Sequence, residues 1–229
     1  MSRLHETEIP GKTPGTTEIV DYSKRKEIEP LSKHKIVMLG GTSGRGLALS
    51  NVLCQNGYEV QYLSQDGKLP EKDKTVHFFS FTESDPRLSL QKAYAINCDA
   101  PLTAARQLAK NGNLNEDSVI VTLSNKISDS VNPYFNFDIY QKGKEPLPPK
   151  FNWPQTYYPM AVSKEEAARG LFALSLDTFS QFVNFVANEI EPDEGVYREA
   201  AVMFQNLTAK DTEKIIIPTR RKVYIYGQL

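Results

Sequence analysis

Residues 35–57 read KIVMLGGTSGRGLALSNVLCQNG, and this stretch decides the fold. The apolar run KIVML predicts a short strand buried on both faces. It runs straight into GGTSGRG, after which GLALSNVLCQNG (46–57) reads as a helix ending at Gly57. Glycines there let the backbone turn sharply and approach a phosphate, while the amides at the helix start and the helix dipole favour an anion. A glycine triplet alone carries little weight. Its position between a strand and a helix is what makes it informative.

Beyond this unit, short apolar runs alternate with amphipathic stretches, the pattern of an α/β chain with an open parallel sheet and crossover helices. YEVQYLS (58–64), TVHFFSF (75–81), SVIVTLS (118–124), QFVNFVAN (181–188) and KVYIYGQ (222–228) read as strands. QKAYAINCDAPLTAARQLAKNG (91–112) reads as a helix with a kink or boundary at Pro101, and SKEEAARGLFALSLD and VYREAAVMFQNLT as two further helices. Residues 1–33 are polar, contain Pro10, Pro14 and Pro30, and show neither period; they are expected to form an extended arm, with TTEIV (16–20) as a candidate added strand. The domain is then 34–229, interrupted by a Pro-, Lys- and aromatic-rich insertion at 125–156 of the length expected for a lid or a partner surface.

Composition narrows the function classes. A chain of 229 residues with 40% hydrophobic and 24% charged residues has enough material for one sizeable core. Lys and Arg total 27 against 28 Asp and Glu, so bulk electrostatics point to neither nucleic acid nor a membrane surface. The expected partner is a small-molecule substrate or a protein. Cys54 and Cys98 lack metal-ligand spacing and are read as buried free thiols in a reducing compartment; His5, His34 and His77 are scattered, with no metal expected. Neither a signal peptide nor a run of about 18 apolar residues is visible, which predicts a cytoplasmic protein.

The spacing Gly40, Gly44, Gly46 resembles the cofactor loop of the short-chain dehydrogenase/reductase family, and other segments extend the likeness over roughly 34–229. INCDAP (96–101) resembles the family's Asn-x-x-Ala-Pro helix, SVIVTLS the strand ending at its catalytic serine, Ser163-Lys164 the end of its catalytic motif, and FVNFVAN the strand Val-Asn-x-Val-Ala-Pro-Gly. The resemblance implies a Rossmann-like doubly wound parallel sheet, here shortened, and a homo-oligomer paired through helices 91–112 and 163–178. It implies a cofactor, NAD or NADP, undetermined between the two, on Gly40, Thr42, Ser43, Gly44, Arg45, Gly46 and Lys164. Asp66, near the end of the second strand, is its candidate ribose ligand. Asn97, Ser124 and Lys164 fall at the family's catalytic positions.

Departures from the pattern fall at chemical positions. The tyrosine expected four residues before the lysine is Met160. Tyr157 instead gives a Tyr-x6-Lys spacing similar to enoyl-acyl-carrier-protein reductases, whose second tyrosine, ten residues earlier, is here Leu147. Seven residues is close to two helical turns, so Tyr157 and Lys164 share a face. A crossover helix and the strand ending in Asn-Asn-Ala-Gly are expected to be missing before Asn97, thinning the sheet there, and Asn188-Glu189 replace the Pro-Gly. The residues alone also accommodate Ser163 and Glu166 as a capping box, with Lys164 a solvated first-turn lysine.

Two functions follow. One is a divergent NAD(P)-dependent oxidoreductase reducing a carbonyl or an activated C=C bond, with Tyr157 as proton donor, Lys164 tuning it and Ser124 polarising the substrate. The other is a catalytically inactive relative kept as a nucleotide-binding or protein-assembly module, in which no cofactor need remain.

Overall fold

The computed structural model describes residues 31–63, 68–82, 85, 87–125, 155–187, 193–208, 215–216 and 224–226. Residues 1–30 of the arm, with TTEIV, and 126–154 of the insertion lie outside them, as do Asp66 and Asn188-Glu189. In chain order the elements are β1 (Lys35–Leu39), α1 (Gly44–Gln55), β2 (Val60–Tyr62), β3 (Val76–Ser80), α2 (Leu90–Tyr94), a π-helical turn (Ala95–Asp99) and α3 (Ala100–Lys110). There follow β4 (Val119–Asn125), a 3-10 turn (Gln155–Tyr157), α4 (Tyr158–Asp177), β5 (Gln181–Ala187), α5 (Asp193–Thr208), β6 (Ile215–Ile216) and β7 (Tyr224–Tyr226).

The strands form one sheet in the order β2-β1-β3-β4-β5-β7-β6, parallel throughout except for the antiparallel β6–β7 pair. Both faces are covered, which is why the strands read as continuous apolar runs. On one face Met38, Phe79, Val121 and Phe185 meet Leu49 and Leu53 of α1 and Met203 of α5. On the other, Val37, Phe78, Ile120 and Phe182 meet Ala105 and Leu108 of α3 and Leu171 of α4. Each fully buried leucine contributes roughly 2 kcal/mol. This is a Rossmann-like α/β fold. Among the described residues no helix is long and apolar enough to cross a membrane.

Several expectations change here. β3 lies between β1 and β4, so the sheet is continuous from the glycine loop to Ser124 and is not thinned at that point. The shortening falls between β2 and β3, where the described residues contain no helix and β2 becomes the outer strand. The last residues of the expected arm pack into the domain: Leu31 is 5% exposed, its N–H donates to Leu207 O at 2.9 Å, and its carbonyl accepts from Tyr58 Oη at 2.9 Å. Cys98 is buried, but Cys54 is exposed because it lies on the outer side of α1, away from Leu49 and Leu53.

Candidate functional site

The chain leaves β1 through α1 to β2, then returns past β1 to β3. The order therefore reverses between β1 and β3, and the carboxyl ends of those strands form the crevice where open α/β sheets bind ligands. Gly40 closes β1 with φ +80°, and a Cβ there would stand 2.6 Å from Phe81 O and 2.9 Å from Thr82 N. One on Gly46 would stand 2.1 Å from Gly40 O. These two glycines are thus required by the folding of the loop against the end of β3.

Thr42, Ser43 and Gly44 are exposed at the start of α1. Ser43 is the N-cap in an extended conformation, its side chain makes no capping bond, and the first turn contains no acid. Nothing in the side chains of that turn competes with an anion for the helix amides. These residues fit the pyrophosphate of a dinucleotide. Arg45 turns toward α5, where its Nε donates to Glu199 Oε2 at 2.6 Å with both side chains largely buried.

Lys164 occupies the opposite wall. Helix α4 begins at Tyr158, with Pro159 in its first turn, so Ser163 lies inside the helix and does not cap it. The capping-box alternative is therefore corrected. Ser163 is fully buried and donates from Oγ to Met160 O at 3.1 Å, and Lys164 is only 6% exposed. Its ammonium donates to the carbonyl of Thr82, just beyond β3, and to that of Leu123 on β4 at 3.2 Å. A buried ammonium is tolerable because such acceptors replace water.

Asn97 reaches the same place from α2–α3. Pro101 has no N–H to give the carbonyl of residue 97, and the helix passes this point as a π turn, with Ala100 N–H reaching back to Ala95 O. That turn carries Asn97, 1% exposed, whose Nδ2 donates to Ser163 Oγ at 3.1 Å. Ser124 follows Leu123 on β4 and is 3% exposed; its Oγ has no hydrogen-bond partner among the described residues. Lys164 and Ser124 therefore stand together at the ends of β3 and β4, and Asn97 is tied to the turn of α4 that carries Lys164.

Tyr157 ends the 3-10 turn, half-buried, with helical torsions (φ -83°, ψ -14°) that continue into α4. Met160, at the expected tyrosine position, is 7% exposed and packs in the interior. Cys98, in the π turn, has its thiol pushed up to about 11 by burial, followed by the charges of Asp99 and Glu166, which disfavours a thiolate nucleophile.

The sequence singled out neither Glu199, nor the carbonyl of Thr82, nor Asn184. Asn184 had a signal: it is the one polar side chain within the run FVNFVA. His77 was read only as one of three scattered histidines with no metal expected. It is fully buried on β3, with Val119 N–H donating to Nδ1 at 3.1 Å and Nε2 3.2 Å from Ser32 O.

No family model and no curated protein matches the chain. Among solved structures, a carbonyl reductase from Pseudomonas aeruginosa in complex with NADP is similar at 13% identity and TM-score 0.49, over 76% of this chain and 90% of that one. The 3-alpha-hydroxysteroid dehydrogenase of Pseudomonas sp. B-0831 with NADH is similar at 11% identity and TM-score 0.49, over 84% and 94%. The Bordetella bronchiseptica enzyme WbmG in complex with NAD is similar at 15% identity and TM-score 0.42, over 68% of this chain. The chain spans 53% of the length of WbmG.

Proposed function

We propose that this chain binds a nicotinamide dinucleotide, NAD or NADP, along the carboxyl edge of the sheet and reduces a carbonyl or an activated C=C bond. The supporting observation is the placement of two features on one edge at the switch point: the exposed start of α1 after β1, and the Lys164 ammonium at the ends of β3 and β4. Bound there, the dinucleotide would supply the hydride.

The chain's own residues then have separable tasks. The amides of Thr42 to Gly44 hold the pyrophosphate without a side-chain competitor. Lys164 places a positive charge in a poorly solvated wall, which lowers the cost of a developing phenolate on Tyr157 as that hydroxyl gives up its proton. Ser124, with its hydroxyl uncommitted to other described residues, donates to the substrate oxygen where negative charge develops. Asn97 fixes the α4 turn that carries Lys164 through its bond to Ser163.

One observation favours the second reading, a non-catalytic nucleotide-binding or assembly module. Lys164 and Arg45 both hold the fold together, one through strand-end carbonyls and the other through Glu199.

Titration with NADH and NADPH, followed by cofactor fluorescence and thermal stability, tests the cofactor site on which the enzyme reading depends, and turnover with carbonyl and enoyl substrates separates it from a non-catalytic nucleotide-binding module. Micromolar binding with a rise in melting temperature supports the enzyme reading. No binding at millimolar cofactor removes it. Where turnover is found, Tyr157→Phe is expected to abolish it with cofactor affinity retained; unchanged turnover would reject Tyr157 as the donor.

A further inference from the structure

The α3–α4 face of the sheet is apolar at its base and polar near its carboxyl edge. Thr122 of β4 pairs in register with Ser80 of β3 and Asn184 of β5, so all three side chains leave the sheet on one face. That face also holds Phe78, Ile120 and Phe182. Ser124, two residues beyond Thr122, points the same way because side chains alternate along a strand. All four polar residues are buried, at 2% for Ser80, 4% for Thr122, 6% for Asn184 and 3% for Ser124.

Two atoms of this row have no hydrogen-bond partner among the described residues: Ser124 Oγ and Asn184 Oδ1. Buried polar atoms left unpaired are rare in native proteins, because each forfeits its hydration with nothing in return. Here two stand on adjacent strands, same face, offset by two residues in register, since Ser124 pairs with Val186 and Thr122 with Asn184. Strand spacing and rise put their Cα atoms roughly 8 Å apart. That span is too long for a direct bond from a serine hydroxyl and suits a single intervening water.

We propose that Asn184 is a positioning residue for Ser124, acting through one buried water that bridges Asn184 Oδ1 and Ser124 Oγ. The donor inventory fixes the direction at Asn184, and the direction at Ser124 is part of the proposal. A carboxamide oxygen only accepts, so the water donates one hydrogen to Asn184. Its second hydrogen goes to a lone pair of Ser124 Oγ. The Ser124 proton is thereby turned away from β5 and left to donate toward the carboxyl edge. The bridge stands independently of any cofactor; only its use in polarising a substrate rests on the reading proposed above.

Ser124→Ala, Asn184→Leu and the double variant test this without cofactor, by thermal melting with circular dichroism to confirm folding. If the bridge exists, each single variant lowers the melting temperature by a few degrees. The double variant then loses clearly less than the sum, because both changes remove the same water. If the atoms are unpaired, each substitution removes a buried orphan and leaves the melting temperature unchanged or higher, which overturns the proposal. Additive losses, as expected from packing alone, overturn it too. Should either variant fail to fold, a high-resolution crystal structure of the unaltered protein decides: density for a water within about 3 Å of both oxygens supports the bridge, and its absence refutes it.

Discussion

Asn97 donates a hydrogen bond from Nδ2 to Ser163 Oγ at 3.1 Å, joining the π turn of one helix pair to the interior of α4. Both residues are at most 1% exposed, so water cannot replace the bond if it is lost. Asn97→Ala is therefore expected to destabilise the protein by about 1–3 kcal/mol, a fall of several degrees in melting temperature. An unchanged melting temperature would show that the π turn is held by its backbone alone.

Lys164 gives a second prediction. Lys164→Met keeps the aliphatic stem and removes the donor to the carbonyls of Thr82 and Leu123. Leaving those acceptors short is expected to remove about 2–4 kcal/mol, read from urea denaturation at constant m-value. A loss under about 0.5 kcal/mol, the scale of ordinary surface substitutions, would return Lys164 to a purely functional role.

The glycine loop allows folding and binding to be separated. Gly46→Ala places a Cβ 2.1 Å from Gly40 O, a contact with backbone that no side-chain rotation relieves, and a poorly folded product is expected. Gly44 is exposed with φ +51°, a conformation aspartate tolerates better than most residues. Gly44→Asp should therefore fold, with a loss of about 1 kcal/mol, while its carboxylate repels an anion at the start of α1. Equal loss of dinucleotide and of fold in Gly44→Asp would defeat that separation.

His77 makes stability depend on pH. Burial holds its pKa at about 4, with the bond to Ser32 opposing and the charge of His34 assisting, against an ordinary 6.5. Above pH 6.5 both folded and unfolded chains carry the neutral ring and the group contributes no slope. Between 6.5 and 4 only the unfolded chain takes up the proton, so stability falls as pH falls, by roughly 3 kcal/mol in all. Urea titrations of the unaltered protein and of His77→Gln at pH 7, 5.5 and 4.5 isolate this contribution as the difference in slope. Parallel curves would mean that the ring titrates normally in the folded state.

Much of the architecture was legible because parallel strands covered on both faces are largely apolar, as KIVML, TVHFFSF and SVIVTLS are despite His77, Ser80, Thr122 and Ser124. The two-residue β6 was not, since so short a strand has no period to read. At the site, the residue types at 97, 124 and 164 could be read from motif spacing. Their surroundings could not. Ser163 and Glu166 have the spacing of a cap, and only the placement of Tyr158 and Pro159 in the preceding turn makes Ser163 interior. Asp66 lies outside the described residues. Arg45 and Glu199 are 154 positions apart, so no local pattern announces their pairing.

The anchoring of Leu31 and Ser32 also has a mechanical side. Leu31 is bonded to α5 and to Tyr58, and the carbonyl of Ser32 meets His77 on β3, an inner strand of the sheet. A pull on the chain ahead of residue 31 would enter the protein at its centre and load α5 and β3 together. Trimming the chain to residue 34 would instead draw a plug from the core. A shortened form intended to stay folded should keep everything from Leu31 onward.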